Sequence, residues 1–419
     1  MERYSEYKDS GVKWLGEIPS HWETVKTKYI WQEQFAKSEN GTEDLLSVSQ
    51  FDGVTPTKSE SRSESLKGYK IVEENDLVVN IMLAWMGGLG ISAYKGIVSP
   101  AYCIYKLTDD SNPKYMHYLY KTPTYLAEFA RHSTGVIPSR WRMYTDDFGQ
   151  VLTLIPPRKE QDLMVEYLDS VIVKIDEAIA QQQKMIELLN ERKQIIINNA
   201  VTKGLDPNVP MKDSGVDWIG KIPCHWVIKS LKHIAKTNKT LINPKERAET
   251  IFHDYSMPAF DASKVCFDIV GKELESSKLL LTEDTLLINK LNVHKQRIWF
   301  VSKPEYNSVA STEFVPFTIF GANAHFVEYY FLSSIATDYL ISYSYGATNS
   351  QKRVSPDLIS STKIPIPPKE EQSRIVDYIN MLIAPLNSYV EITKNKIIKL
   401  QERKQIIINE VVTGKVKVS

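Results

Sequence analysis

Glu191-Arg-Lys-Gln-Ile-Ile-Ile-Asn198 returns letter for letter as Glu402-Arg-Lys-Gln-Ile-Ile-Ile-Asn409, 211 positions later. A shared octamer with three bulky apolar positions marks an internal repeat, and a repeat decides the architecture before any single element does. Upstream, Ile155-Pro-Pro-Arg-Lys-Glu-Gln161 matches Ile366-Pro-Pro-Lys-Glu-Glu-Gln372 at the same offset of 211, so no gap falls between. The apolar positions in the interval agree. Leu168, Ile172, Ile175, Ile179, Ile186, Leu189 and Ile196 map onto Ile379, Ile383, Leu386, Val390, Ile397, Leu400 and Ile407. Their spacing alternates four and three, the seam of a coiled coil. The interruptions agree as well, Gln182 with Thr393 and Lys193 with Lys404. The pattern predicts two helices of roughly 40 residues, each about 60 Å long, packed on each other. Pro385 stands where the first copy has Lys174, which predicts a kink or a break in the second helix.

A second repeated block opens each half. Lys8-Asp-Ser-Gly-Val-Lys-Trp-Leu-Gly-Glu-Ile-Pro-Ser-His-Trp22 matches Lys212-Asp-Ser-Gly-Val-Asp-Trp-Ile-Gly-Lys-Ile-Pro-Cys-His-Trp226 at an offset of 204. The second half is therefore seven residues longer (211 − 204) between its opening block and its helix. The chain is a tandem duplication with a kept frame and a diverged middle. His21 and His225 recur inside the block, where packing or a cap suits them better than catalysis.

In the first half, strands are expected at Leu45–Val48, Gly68–Val72, Asp76–Leu83, Val98–Leu107 and Val151–Ile155, with glycine or polar turns between them. Tyr29–Glu33 reads as a short helix and Lys114–Arg131 as one or two. The second half repeats the order, with Leu231–Ala235 as the early helix. Its strands fall near Thr285–Lys290, Arg297–Val301 and Phe314–Phe320, and helix follows at Ala324–Ser344. The fold class is α+β: two mixed α/β domains in tandem, each followed by a long helix, with the helices paired antiparallel under a pseudo-twofold. The expected segments are 1–157 (opening block 7–23), 158–204, 205–368 (opening block 211–227) and 369–419.

Composition excludes little. Lys plus Arg equals Asp plus Glu at 51 each, so local patches matter more than the total. Cys103, Cys224 and Cys266 are too few and too scattered for a disulfide framework or a metal-ligand pair, which fits a reducing cytoplasm. The N-terminus lacks an apolar signal segment, and the most apolar window, 77–94, is interrupted by glycines. There is no phosphate-binding G-x-x-x-x-G-K-[ST] loop, no Asn-Pro-Pro-aromatic or Asp-Pro-Pro-aromatic tetrapeptide and no outstanding carboxylate pair. No catalytic or metal-binding residue is expected.

Cationic clusters are the better signal. Arg131, Ser139, Arg140, Trp141 and Arg142 lie on or beside one glycine turn, and Ser350, Gln351, Lys352 and Arg353 occupy the matching turn of the second half. Lys236 and Lys239 belong to a lysine run without acids, and Asn289, Lys290, Asn292, His294, Lys295, Gln296 and Arg297 group on a strand-to-strand turn. Such side chains neutralise phosphates and read base edges. A coiled-coil scaffold without DNA explains the helices but not two diverged domains with cationic turns. A fused methylase–nuclease lacks its motifs.

The two Lys-Asp-Ser-Gly-Val…Ile-Pro…His-Trp blocks, the two Pro-Pro…Glu-Gln helix starts and the repeated octamer together resemble the specificity (S) subunit of type I restriction–modification systems, over nearly the whole chain. That resemblance implies two target recognition domains, each reading one half of a bipartite, non-palindromic site in double-stranded DNA. It implies a helix pair that sets the spacer and docks two modification (M) subunits, which restriction (R) subunits join. S-adenosylmethionine, ATP and Mg2+ would then belong to those partners, with no cofactor on this chain and no membrane.

Overall fold

The computed structural model describes residues 2–50, 53–57, 65–137, 141–346 and 351–418. The chain forms two compact units, one of residues 1–183 with 395–419 and the other of residues 184–394. The central helix Arg158–Lys203 and the distal helix Lys369–Val412 are each shared between the units. The reason is burial, because each helix end supplies core to a unit. Among the described residues no helix is long and apolar enough to cross a membrane.

In the first unit, Tyr7–Asp9 pairs with Glu17–Pro19 and Glu23–Lys26 with Leu152–Ile155. The main sheet is antiparallel in the order Trp31–Gln34, Tyr102–Leu107, Leu77–Asn80, Leu89–Ile91. Helices Pro113–Tyr120 and Pro123–Arg131 cover it, separated at Thr122, whose hydroxyl caps the second by accepting from Tyr125 N–H. The core gathers Trp22, Leu77, Tyr120 and Phe129 with Met164 and Leu168 of the central helix and Val411 and Val412 of the distal one. The expected helix at Tyr29–Glu33 is a 3-10 turn at Thr27–Tyr29 followed by the strand Trp31–Gln34. Trp31 decides this: its indole N–H donates to the Tyr120 hydroxyl at 2.9 Å from the sheet, and a helix would turn it away.

The second unit repeats the plan. Met211–Asp213 pairs with Lys221–Pro223, and Val227–Ser230 with Lys363–Ile366. Its main sheet runs Ala235–Thr237, Phe314–Ile319, Thr285–Asn289, Ile298–Val301. The expected helix at Leu231–Ala235 is again a 3-10 turn, Leu231–His233, leading into an edge strand. The expected helix at Ala324–Ser344 is two, Ala324–Leu332 and Ser334–Ser342, divided at Ser333, which caps as Thr122 does. A five-stranded sheet is added in the order Leu241–Ile242, Lys278–Leu280, Ser308–Ser311, Ile251–Tyr255, Phe267–Val270. Asn80 and Asn289 end matching strands at an offset of 209, so five of the seven extra residues (209 − 204) enter before them.

The long helices pack antiparallel along the predicted seam. In the first unit, Lys404 Nζ meets both Asp176 carboxylate oxygens at 2.8 Å, while Leu168 shares a core with Ile408 and Val411. In the second, Ile197 and Val201 share a core with Ile375, Ile379 and Ile383. Along the seam, Leu168, Ile175, Ile379, Ile383 and Val390 are buried, and Ile172, Ile179, Ile186, Leu189, Leu386, Ile397 and Leu400 half-buried. Pro385 does not break the distal helix. It lies on the exposed side, where water can satisfy the carbonyl that loses its partner.

Each repeated motif has a structural partner in the other. Glu160 accepts from Trp22 Nε1 at 3.1 Å and pairs with His21 Nε2 at 2.6 Å; Glu371 does the same with Trp226 at 3.2 Å and His225 at 2.7 Å. Gln161 donates to Pro156 O and accepts from Asn112 N–H, and Gln372 donates to Pro367 O and accepts from Asn323 N–H. Asn112 and Asn323 then cap Pro113–Tyr120 and Ala324–Leu332. The octamers end on the same logic. Asn198 accepts from Ser334 N–H, and Asn409 accepts from the Thr124 hydroxyl. Gly414 follows the distal helix at φ +75°, where a Cβ would come within 2.5 Å of Pro19, so only glycine lets the helix end dock there.

Candidate nucleic-acid interface

In the second unit the turn after Thr285–Asn289 is built on a buried asparagine. Asn289 Oδ1 accepts from Leu291 N–H, and its own N–H donates to Arg297 O at 3.2 Å. Asn292 and Gln296 adopt left-handed φ of 55° and 46°, a conformation asparagine tolerates best among non-glycines. The turn is tied from below. Gln296 Nε2 donates to Leu332 O and Thr337 Oγ1, and Gln194 Nε2 donates to Gln296 Oε1. It is tied laterally to the second cationic turn: Asn292 N–H donates to Lys352 O at 2.7 Å, and Val354 N–H to Lys290 O at 3.0 Å. Tyr345 and Arg353 exchange backbone bonds at 2.9 and 2.7 Å.

This places the sequence candidates in two groups. His294, Lys295, Gln351 and Arg353 are exposed on one surface, with Lys290 and Lys352 half-exposed beside them. Arg353 donates to Glu313 at 2.9 Å, and Lys290 Nζ to Thr312 O. Asn289, Gln296 and Arg297 are instead spent within the protein. Arg297 is buried in a bidentate pair with Asp261, at 2.7 and 2.5 Å, and all three hold the turn rather than present side chains from it. Lys236 is not part of the group. It lies opposite Thr318, whereas Asn289 lies opposite Phe314, four residues or roughly 13 Å along the strand. It pairs with Glu283 at 3.3 Å. Lys239 is exposed in the link to the second sheet. Ser350 lies outside the described residues. Tyr343 and Tyr345, both 61% exposed beside the turn, are absent from the sequence candidates, which favour cationic and amide side chains.

The first unit carries the same frame with other side chains. Asn80 Oδ1 accepts from Met82 N–H, Asn80 N–H donates to Gly88 O, Met143 N–H donates to Ile81 O, and Thr134 and Arg142 exchange bonds at 2.9 Å. Trp141 meets Trp85 edge to face at 5.3 Å, and Leu83, Met86, Ile137 and Tyr144 are exposed around them. Arg142 donates to Trp141 O. Arg131 belongs to a different contact, a bidentate pair with Glu128. Burial works against the Glu128 charge, yet Arg131 and His132 hold its carboxyl below the usual range. Ser139 and Arg140 lie outside the described residues. The turn 81–88 was missed because it has no cations. Its match to 290–296 shows only through the shared asparagine and backbone ties.

Residues 223–402 match the family model for the type I restriction modification DNA specificity domain. A solved structure from work on complex assembly and conformational transition of the type I R-M system is similar over 95% of this chain and 99% of its own, at 11% identity and a TM-score of 0.67. The HsdS subunit from Thermoanaerobacter tengcongensis covers 97% of this chain and 100% of its own at 13% identity and a TM-score of 0.45. The family model covers most of the second half, and the motifs of its frame recur in the first, so the comparisons agree on the fold of a DNA specificity domain in the second half and on a similar two-part architecture for the whole chain.

Proposed function

We propose that each unit reads one half of a bipartite, non-palindromic site in double-stranded DNA through its pair of tied turns. The observation that carries this is the matched frame with unmatched contents. Asn80 and Asn289 fold the same turn and Arg142 and Arg353 close the same bridge. One surface nevertheless offers tryptophans and aliphatics and the other cations and tyrosines. Lys295, Lys352 and Arg353 suit phosphate or guanine contacts, and exposed apolar groups suit thymine methyls.

The helix pair would set the spacer and dock two modification subunits. Its outer faces support a protein partner: Val173, Leu188 and Ile195 on the central helix, and Met381, Ile392 and Ile406 on the distal one, are all more than 45% exposed. The chain directs adenine methylation or restriction without catalysing either. S-adenosylmethionine, ATP and Mg2+ act in the modification and restriction subunits.

The test is genome-wide mapping of methylated adenines in cells carrying this chain with its modification subunit. The expected result is a split motif with unlike halves and a constant gap, of which exchanging residues 24–157 alters one half. A continuous motif, or none from an active modification subunit, would overturn the reading.

A further inference from the structure

The second unit brings together three residues whose spacing in sequence gives no hint of it. His253 lies on Ile251–Tyr255 and Asp268 on the edge strand Phe267–Val270, directly opposite each other in the antiparallel register. Cys266 is two residues before Asp268 and so shares its face, because side chains on a strand alternate. The imidazole, thiol and carboxylate ligand atoms all lie within 4.8 Å of one another. His253 Nδ1 is 2.7 Å from Asp268 Oδ1, and His253 Nε2 is 3.3 Å from Glu305 Oε2.

We propose that His253, Cys266 and Asp268 bind a divalent transition-metal ion of the zinc class. Nitrogen, sulfur and oxygen donors in one cluster suit zinc, while a thiolate disfavours magnesium and calcium. Bonds of about 2.0–2.3 Å in a tetrahedron separate donors by roughly 3.3–3.7 Å. The His253–Asp268 pair has only to open slightly. Glu305 holds the other imidazole nitrogen, the usual carboxylate support of a ligating histidine. Water takes the fourth position on the open side, where Asp268 and Glu305 are exposed.

The ion would close the base of the loop that carries helix Met257–Ser263. Asp261 on that helix holds Arg297 at the foot of the turn that presents His294 and Lys295. Metal binding therefore stiffens the support of that turn. The site itself does not depend on what the turn contacts.

The experiment titrates the full-length chain with Zn2+ against a chromophoric chelator, then with Co2+ alone. One ion per chain is expected, with a cobalt–thiolate charge-transfer band that Cys266→Ser abolishes and Cys224→Ser leaves intact. Glu305→Gln keeps the band and weakens binding about 10- to 100-fold. Should Cys266→Ser fold poorly, Asp268→Asn, an exposed position, is expected to weaken binding at least about tenfold. Absence of stoichiometric binding, or a band that survives Cys266→Ser, would overturn the proposal.

Discussion

Gln161 and Gln372 are single side chains that each join three elements. Each is buried, donates to a prolyl carbonyl and accepts the N–H of a helix-capping asparagine. Removing one leaves two buried backbone groups unpaired at about 1–3 kcal/mol each. Gln372→Ala should therefore lower stability by about 2–4 kcal/mol in denaturant unfolding, while Gln372→Glu recovers the acceptor only. An effect below about 0.5 kcal/mol, the size of an ordinary surface substitution, would show that water replaces the amide. His117 is the other residue with a measurable signature. Burial, with Lys121 and Lys114 nearby, pushes its imidazole down from 6.5 to about 4, and its Nδ1 accepts from Ile91 N–H. The folded pKa lies below the unfolded one, so the unfolded chain takes the proton first. The stabilisation is complete above pH 6.5 and disappears as the pH falls toward 4, about 3 kcal/mol in all. Melting of His117→Gln should lack that part of the acid slope, and parallel slopes for both proteins would count against a buried neutral imidazole.

At the scale of elements, the two helices share a pattern but not its electrostatics. Lys193 and Lys404 interrupt the seam at equivalent positions. Lys404 has Asp176, but the position equivalent to Asp176 is Asn387. Burial lowers the Lys193 pKa, and the Lys394 charge adds to the effect. Lys193→Leu should then stabilise the chain by about 1 kcal/mol, and Lys404→Leu should gain less or lose, because Asp176 is left without its partner. Thermal unfolding of the two variants separates the cases; equal shifts would mean the Asp176 contact contributes nothing. The same scale explains the short elements that the sequence mislabels. Five-residue stretches such as 29–33 and 231–235 lack a period long enough to separate a helix turn from an edge strand. Pairing to Leu107 and Ile319 decides them.

For the whole molecule, two surfaces of different chemistry are built on one frame, and the helices are the elements common to both units. If they set the spacing, seven residues added to each helix at matched positions keep the seam in phase. They lengthen each helix by about 10 Å, near three base-pair steps of about 3.4 Å. The methylated motif should keep both halves and gain about three base pairs of gap. Altered bases at an unchanged gap would place specificity in the helices instead.

The sequence alone determined the duplication, the two long helices and their seam, because a repeat and a heptad are one-dimensional signals that survive without coordinates. It also pointed to the paired turns, through glycines and cations at a constant offset. Which candidates could reach a ligand was decided only by the tertiary structure. Arg297 and Gln296 resemble Lys295 in the sequence, yet Asp261, Thr337 and Leu332, from 36 to 41 positions away, hold them inside. The tertiary structure likewise decided that helix ends complete the cores and that His253 meets Cys266 and Asp268. Each of these depends on strand register and on chain returning from far away, and neither composition nor spacing records that.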